Sequence, residues 1–283
     1  MEKNVLNTDL SGRVAVVTGA GGVLCSEFAR VLARAGAKVA LLNRTWEKAQ
    51  KVADEIRAEG GIAIAYGCNV LDREQTFAVA EQVLRDLGPC DILINGAGGN
   101  SPTATTDKEY YEDGDIDSDT KSFFDLDEEG VESVFNLNFL GTLIPTQAFA
   151  RQMLGREGCS ILNISSMNAF TPLTKIPAYS GAKAAVTNFT QWLAVHFSKQ
   201  GIRVNAIAPG FFSTAQNAKL LWNDDGSPTA RTGKILAATP MGRFGESREL
   251  AGALLFLLNN EAASFVTGVT IPIDGGFSAY SGV

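Results

Sequence analysis

Residues Arg13–Ala37 read RVAVVTGAGGVLCSEFARVLARAGA. An apolar, β-branched run, Val14–Val17, passes at Thr18 into a glycine-rich turn, and the turn passes into a stretch with helical periodicity. A strand, a tight turn and a helix in that order put the helix's amino end, with its unpaired N–H groups, beside the strand's exit. That arrangement binds anions, phosphate above all. Glycine lets the turn close and lets main chain approach a pyrophosphate with no Cβ between them. Gly19, Gly21 and Gly22 can meet those needs, and Val23 and Leu24 would open the helix over the phosphates. Val23 and Cys25 stand where such loops usually carry glycine. Val23 makes Gly22 the expected point of closest approach, and Cys25 is small enough to pack against the sheet at the cost of a slight helix displacement.

Outward from this turn the same alternation repeats. VAVVTG, KVALLN, IAIAY, CDILING, SILNISS, IRVNAIAP and VTIPID read as strands, separated by helical patterns such as EFARVLARAG and EQTFAVAEQVLRDLG. The strands are continuous apolar runs, as in a parallel sheet covered on both faces. Right-handed βαβ crossovers then give an α/β, doubly wound Rossmann-type sandwich with a central sheet of about seven strands. With no composition break, residues 1–283 are expected to form one domain. Two segments break the rhythm: an acidic, aperiodic insert at about 100–128 and a mixed segment at about 211–245. Both follow strand ends, where ligands bind in open α/β sheets, so long segments there point to function.

The 283 residues carry a net charge of −7, which argues against a nucleic-acid partner. No apolar run is long enough to cross a membrane, and MEKNVLNTDLSG lacks the apolar core of a signal peptide. The four cysteines, at 25, 68, 90 and 159, lie far apart, and there is one histidine, His196. No metal site is expected, and reduced thiols in a cytoplasm fit this pattern.

The next strand ends at Asn43-Arg44, where related folds carry an acidic residue for the ribose of NAD. With no carboxylate there, Arg44 is a candidate partner for the 2′-phosphate of NADP. Further on, PAYSGAKAAV holds Tyr179 and Lys183, which at i and i+4 share a helix face. An ammonium beside a phenol lowers its pKa from about 10 and makes it a usable acid/base. The small residues around the pair let this helix approach another body closely. Ser166 ends the strand before it, so hydroxyl and phenol can meet on one carbonyl oxygen.

In combination these features resemble the short-chain dehydrogenase/reductase family, from about Leu10 to the carboxyl end. The family's T-G-x-x-x-G-x-G loop is matched at Thr18 and Gly19 and broken at Val23 and Cys25. Its N-N-A-G stretch appears as Asn95-Gly96-Ala97-Gly98, its helix asparagine as Asn138, and its serine, tyrosine and lysine as Ser166, Tyr179 and Lys183. Its P-G turn appears as Pro209-Gly210 with Thr214 after it, and its aspartate after the third strand is replaced by Asn69. The chain also resembles the subgroup called D-mannonate oxidoreductase, or fructuronate reductase, in the runs INGAGGNSPTATT and SSMNAFTPLTKIPAYS.

The resemblance implies hydride transfer between a nicotinamide and a substrate carbon. Tyr179 would be the acid, Ser166 the carbonyl partner, Lys183 the ribose contact, and Asn138 the holder of a relay water. It also implies that Gly19, Gly22 and Thr214 meet pyrophosphate or carboxamide, that Asn69 and Val70 flank the adenine, and that Asn95, with Ala97 and Gly98, lies along the cofactor. NADP(H) is favoured and NAD(H) stays open. A homotetramer is expected. For a small anionic sugar-acid substrate, Asn100, Asn168, Lys175 and Arg231 are candidate contacts, and the acidic insert is expected at an outer rim or a subunit contact. A gluconate 5-dehydrogenase-like or other polyol reductase is the near alternative. A catalytically silent nucleotide sensor is the alternative of another class.

Overall fold

The computed structural model describes residues 7–213, 221–223 and 225–282. Seven parallel strands form one sheet in the order β3-β2-β1-β4-β5-β6-β7. They are β1 Val14–Thr18, β2 Lys38–Asn43, β3 Ile62–Gly67, β4 Ile92–Asn95, β5 Ser160–Ile164, β6 Arg203–Pro209 and β7 Thr270–Ile273. The helices that cover it are α1 Val23–Arg34, α2 Trp46–Ala58, α3 Arg73–Asp86, α4 Glu128–Phe135, α5 Gly141–Phe149, α6 Pro177–His196, α7 Ala230–Ala237 and α8 Ala251–Leu258. The seven strands read from apolar runs are all present.

β1, β4 and β5 are buried along their whole length, which is why they read as unbroken apolar runs. Alternate residues of β1 serve opposite faces. Ala15 and Val17 pack with Phe28, Leu32, Ile56 and Leu254, beneath α1, α2 and α8. Val14 and Val16 pack with Val79, Val83, Phe149 and Leu193, beneath α3, α5 and α6. At the amino edge of the sheet the buried carboxylate of Asp91 takes hydrogen bonds from Arg13, Arg156 and the Val14 N–H.

After β1 the chain winds outward through β2 and β3. It then returns to place β4 on the other side of β1. Strand order reverses between β1 and β4, so their connections diverge and leave a crevice at the carboxyl ends.

Candidate active site

A cleft of about 500 Å³ lies at that reversal, lined by the turn after β1, the ends of β2 to β6, and the start of α6. This is within the size of small-molecule sites.

Its first wall is main chain. Gly19 has φ 65°, and a Cβ there would lie 3.0 Å from the backbone of Ala97, so only glycine fits comfortably. The Gly21 N–H donates to Asn43 Oδ1 at 3.2 Å, and the Gly22 N–H to the Gly19 carbonyl at 2.9 Å. Gly22 caps α1 with no side-chain cap bond, so the N–H groups of its first turn are left for a ligand. Gly21, Val23 and Leu24 line the cleft with them. The Thr18 hydroxyl accepts the N–H groups of Gly96 and Ala97 at 3.0 and 3.2 Å, which ties the turn to the end of β4.

Two departures from the family pattern turn out to be one. A Cβ on residue 96 would lie 2.1 Å from Cys25 Sγ, so the cysteine fills volume that only a glycine at 96 leaves free. Cys25 is buried, and burial pushes its thiol up to about 12, which removes any nucleophilic character near neutral pH. The sequence signal was present in the glycine at the second place of Asn95-Gly96-Ala97-Gly98, but the pairing of the two positions is visible only in space.

Toward the β2 and β3 side, Asn43, Arg44, Asn69 and Val70 all line the cleft, and so does Lys48, which sequence reasoning had passed over. The Asn43 amide is occupied by Gly21 and by the Thr45 carbonyl. Asn69 Oδ1 accepts the Leu71 N–H at 3.2 Å.

The other end holds the chemistry. The Ser166 hydroxyl ends the run after β5, accepts the Asn168 N–H at 3.2 Å, and hydrogen-bonds the Tyr179 phenol. Lys183, one turn along α6, is buried, and its Nζ donates to the Ile164 carbonyl at 2.8 Å. Burial pushes the ammonium down to about 8. Its Nζ lies 5.6 Å from the centre of the Tyr179 ring.

The expectation that Lys183 acidifies this phenol needs correction. Burial raises the Tyr179 phenol above its ordinary value, and the hydrogen bond from Ser166 is what opposes the rise. The ammonium is spent on a carbonyl rather than on the phenol oxygen.

Ala97, Gly98, Pro209 and Gly210 complete the walls. A Cβ on Gly98 would lie 2.6 Å from Asn138 Oδ1 and 3.1 Å from Lys183 Nζ, so the catalytic groups press directly on this glycine. A Cβ on Gly210 would lie 2.6 Å from Asp274.

Asn138 sits in a π-helical turn, Asn136–Leu140, and is fully buried. Its Nδ2 donates to the carbonyls of Gly99 and Val134, both at 2.7 Å. The side chain thus has no spare N–H for a relay water, and only its carbonyl oxygens remain for that purpose.

Other expectations fare differently. Asn95 is not in the cleft: its buried amide donates to Thr146 Oγ1 and Asn163 Oδ1 at 2.9 Å each, bracing β4 against α5 and β5. Neither Asn100, whose amide donates to Thr105 Oγ1 and which is exposed, nor Asn168, which is buried beside Ser166, lines the cleft. Arg231 is exposed on α7 and does not line it either. Lys175 is engaged elsewhere, its Nζ donating to the Asp107 carbonyl at 2.6 Å. The acidic insert, expected at a rim or a subunit contact, reaches α7 of its own chain through a Glu109–Lys234 ion pair. Thr214 lies outside the described residues. Among those residues no group of three potential metal ligands occurs, and no helix is long and apolar enough to cross a membrane.

Comparison with known proteins agrees with this architecture. The short chain dehydrogenase family profile matches residues 13–224. An uncharacterized oxidoreductase of Haemophilus influenzae is 61% identical over 98% of this chain and 97% of its own length. The gluconate 5-dehydrogenase of Gluconobacter oxydans is 34% identical over 95% of this chain and 96% of its own. A solved structure from Haemophilus, provisionally named a D-mannonate oxidoreductase and holding NAD, superposes with a TM-score of 0.95 at 60% identity, covering 99% of each chain.

Proposed function

The chain belongs to the short chain dehydrogenase family and is an oxidoreductase, and from that premise we propose that it interconverts the ketone and the secondary alcohol of a sugar acid, D-fructuronate and D-mannonate being the pair. One observation carries the chemistry: a serine hydroxyl, a tyrosine phenol and a lysine ammonium converge at one end of a cleft whose other end is a glycine turn at a helix amino terminus. Similarity to the Haemophilus protein supports the substrate. The gluconate 5-dehydrogenase relative supports a polyol acid as the second reading. A silent nucleotide sensor would have no use for the convergent Ser166, Tyr179 and Lys183.

A dinucleotide bound in the cleft supplies or accepts the hydride. The glycine turn fits such a group, since its N–H groups are uncapped and side chains are excluded at Gly19. Gly19, Gly21, Gly22, Val23 and Leu24 would hold its phosphates, and Asn69 and Val70 its adenine. Ala97 and Gly98 would lie along its middle, with Pro209 and Gly210 at its reactive end. Arg44, with Lys48, would meet a 2′-phosphate, so NADP(H) is accommodated as well as the NAD seen in the relative.

The chain's own residues do the rest. Tyr179 gives its proton to the ketone oxygen, and Ser166 holds that oxygen and stabilises its developing charge. The Lys183 ammonium favours the phenolate that remains. Asn138 fixes the Gly99 turn against which Lys183 rests.

The same reading gives a cytoplasmic homotetramer. An apolar groove of about 410 Å³ beside α5 and α6, lined by Leu143, Phe189, Trp192 and His196 among others, supports the assembly, and four free buried thiols support the compartment.

The test is direct. Protein, fructuronate and NADPH or NADH are mixed, and the loss of reduced-cofactor absorbance is followed, with 5-ketogluconate in parallel. Turnover of fructuronate above 5-ketogluconate is the expected result, and no turnover of either with both cofactors overturns the proposal.

A further inference from the structure

Three excursions leave the carboxyl ends of three neighbouring strands and meet beyond the sheet. The acidic segment follows β4, the segment bearing Ser166 follows β5, and the chain leading to α7 follows β6. Glu109 of the first forms an ion pair with Lys234 of the third, Nζ to Oε1 at 2.7 Å. Because β5 lies between β4 and β6, this contact spans the end of the strand that delivers Ser166. The middle excursion is tied in as well. The Lys175 Nζ donates to the Asp107 carbonyl at 2.6 Å, and the Lys175 carbonyl accepts the Thr106 N–H at 2.9 Å. Lys175 has φ 73°, the one positive φ outside glycine among the described residues. A lysine holds that conformation only where its surroundings impose it, and here two hydrogen bonds to the insert do so.

The insert presents Glu109 from a folded body. Asp115 is buried in it and takes the Lys108 Nζ at 2.7 Å and the Glu112 N–H at 2.9 Å. The Lys121 Nζ holds the carbonyls of Pro102 and Thr103. The carboxyl of Glu109 is held below its ordinary value by Lys234 first and by Lys175 as well. Two ammonium groups therefore flank one carboxylate at the point where an otherwise acidic segment meets the catalytic side of the molecule.

We propose that Glu109 and Lys234 are positioning residues, whose pairing joins the first and third excursions into a roof over Ser166 and Tyr179 and so fixes the walls against which the substrate is held. The proposal deepens the ketoreductase reading and rests on it. The pair is partly exposed, with Lys234 the freer partner, so its effect is a few-fold and salt-sensitive.

The test is a double-mutant cycle with Glu109→Gln, Lys234→Gln and both together. It is read as kcat and KM for the keto acid, Kd for NADH, and amide hydrogen exchange across residues 230–237. Each single variant is expected to raise KM about three- to five-fold at low salt, leave the NADH Kd unchanged, and speed exchange in α7. The double variant is expected to match a single one rather than multiply the two effects, and Lys234→Arg to stay within about twofold of the parent. Single variants with parental KM and exchange at low salt, or effects that multiply in the double, overturn the proposal. Should the parent turn over no keto acid, the functional reading fails by itself, and the exchange pattern still decides whether the joint exists.

Discussion

The two ends of the cleft are walled by different material. At the nucleotide end the wall is backbone: Gly19 abuts Ala97, Gly22 caps α1, and the Thr18 hydroxyl holds the N–H groups of Gly96 and Ala97. At the substrate end the surroundings are side chains brought together from distant parts of the chain, such as Glu109 and Lys234, 125 residues apart. The first end is governed by sterics, where a single added carbon is felt. The second is governed by charge, where a substitution is felt only as far as solvent allows. Substitutions should therefore separate by mechanism.

The largest effect belongs where the two ends meet. Tyr179→Phe is expected to lower kcat by about 10²–10⁴-fold, the usual contribution of a positioned acid. Titration with NADH should show affinity close to the parent's. Parental turnover would remove the phenol from the chemistry.

Next comes the backbone-walled end. Gly96→Asn forces a Cβ to within 2.1 Å of Cys25 Sγ and should cost about 1–3 kcal/mol by overpacking, read from urea denaturation. Adding Cys25→Gly should recover most of that loss. A single variant as stable as the parent would show that the loop simply moves aside.

The buried ammonium supplies a pH test. Folding holds Lys183 down at about 8, whereas in the unfolded chain a lysine titrates near its ordinary value of about 10.4. Between these values the unfolded chain binds the extra proton, so stability rises with pH across that window, and the penalty is fully present below about pH 8. Lys183→Met should thus gain on the parent in Tm at pH 7, with the advantage shrinking toward pH 10. A difference constant from pH 7 to 10 would place the group in a wetter setting than described.

The smallest effect is expected at Arg231→Gln. Arg231 shares α7 with Lys234 but is exposed and does not line the cleft. Its KM should move by less than about twofold, within the ordinary range of surface substitutions. A tenfold rise would return it to substrate binding and weaken the contrast between the two cations of α7.

What could be read in advance follows the same division. Strands, turn and helix at Val14–Arg34 are written in local order, because burial on both faces demands continuous apolar runs and a tight turn demands glycine. Tyr179 and Lys183 were legible from a four-residue spacing, and Ser166 from its place at a strand end. Asn95 misled because a motif position says nothing about which way a side chain turns. Its amide turns inward to Thr146 and Asn163, where buried polar atoms need partners more than the cleft does. The acidification of Tyr179 misled because spacing on a helix does not reveal competition: a nearby carbonyl, that of Ile164, takes the ammonium first. The insert's attachment to α7 has no local signature at all, since an ion pair between distant segments leaves no periodicity to detect.

The exchange of volume between residues 25 and 96 also constrains the order in which such a chain can change. Starting from the family's glycine at the first position and asparagine at the second, placing the thiol first would drive two side chains into one space. Removing the asparagine first would leave only a small void, which protein interiors tolerate at lower cost than a collision with backbone on one side. The passable history therefore runs through a chain with glycine at both places, slightly hollow behind its nucleotide turn, later filled by sulfur.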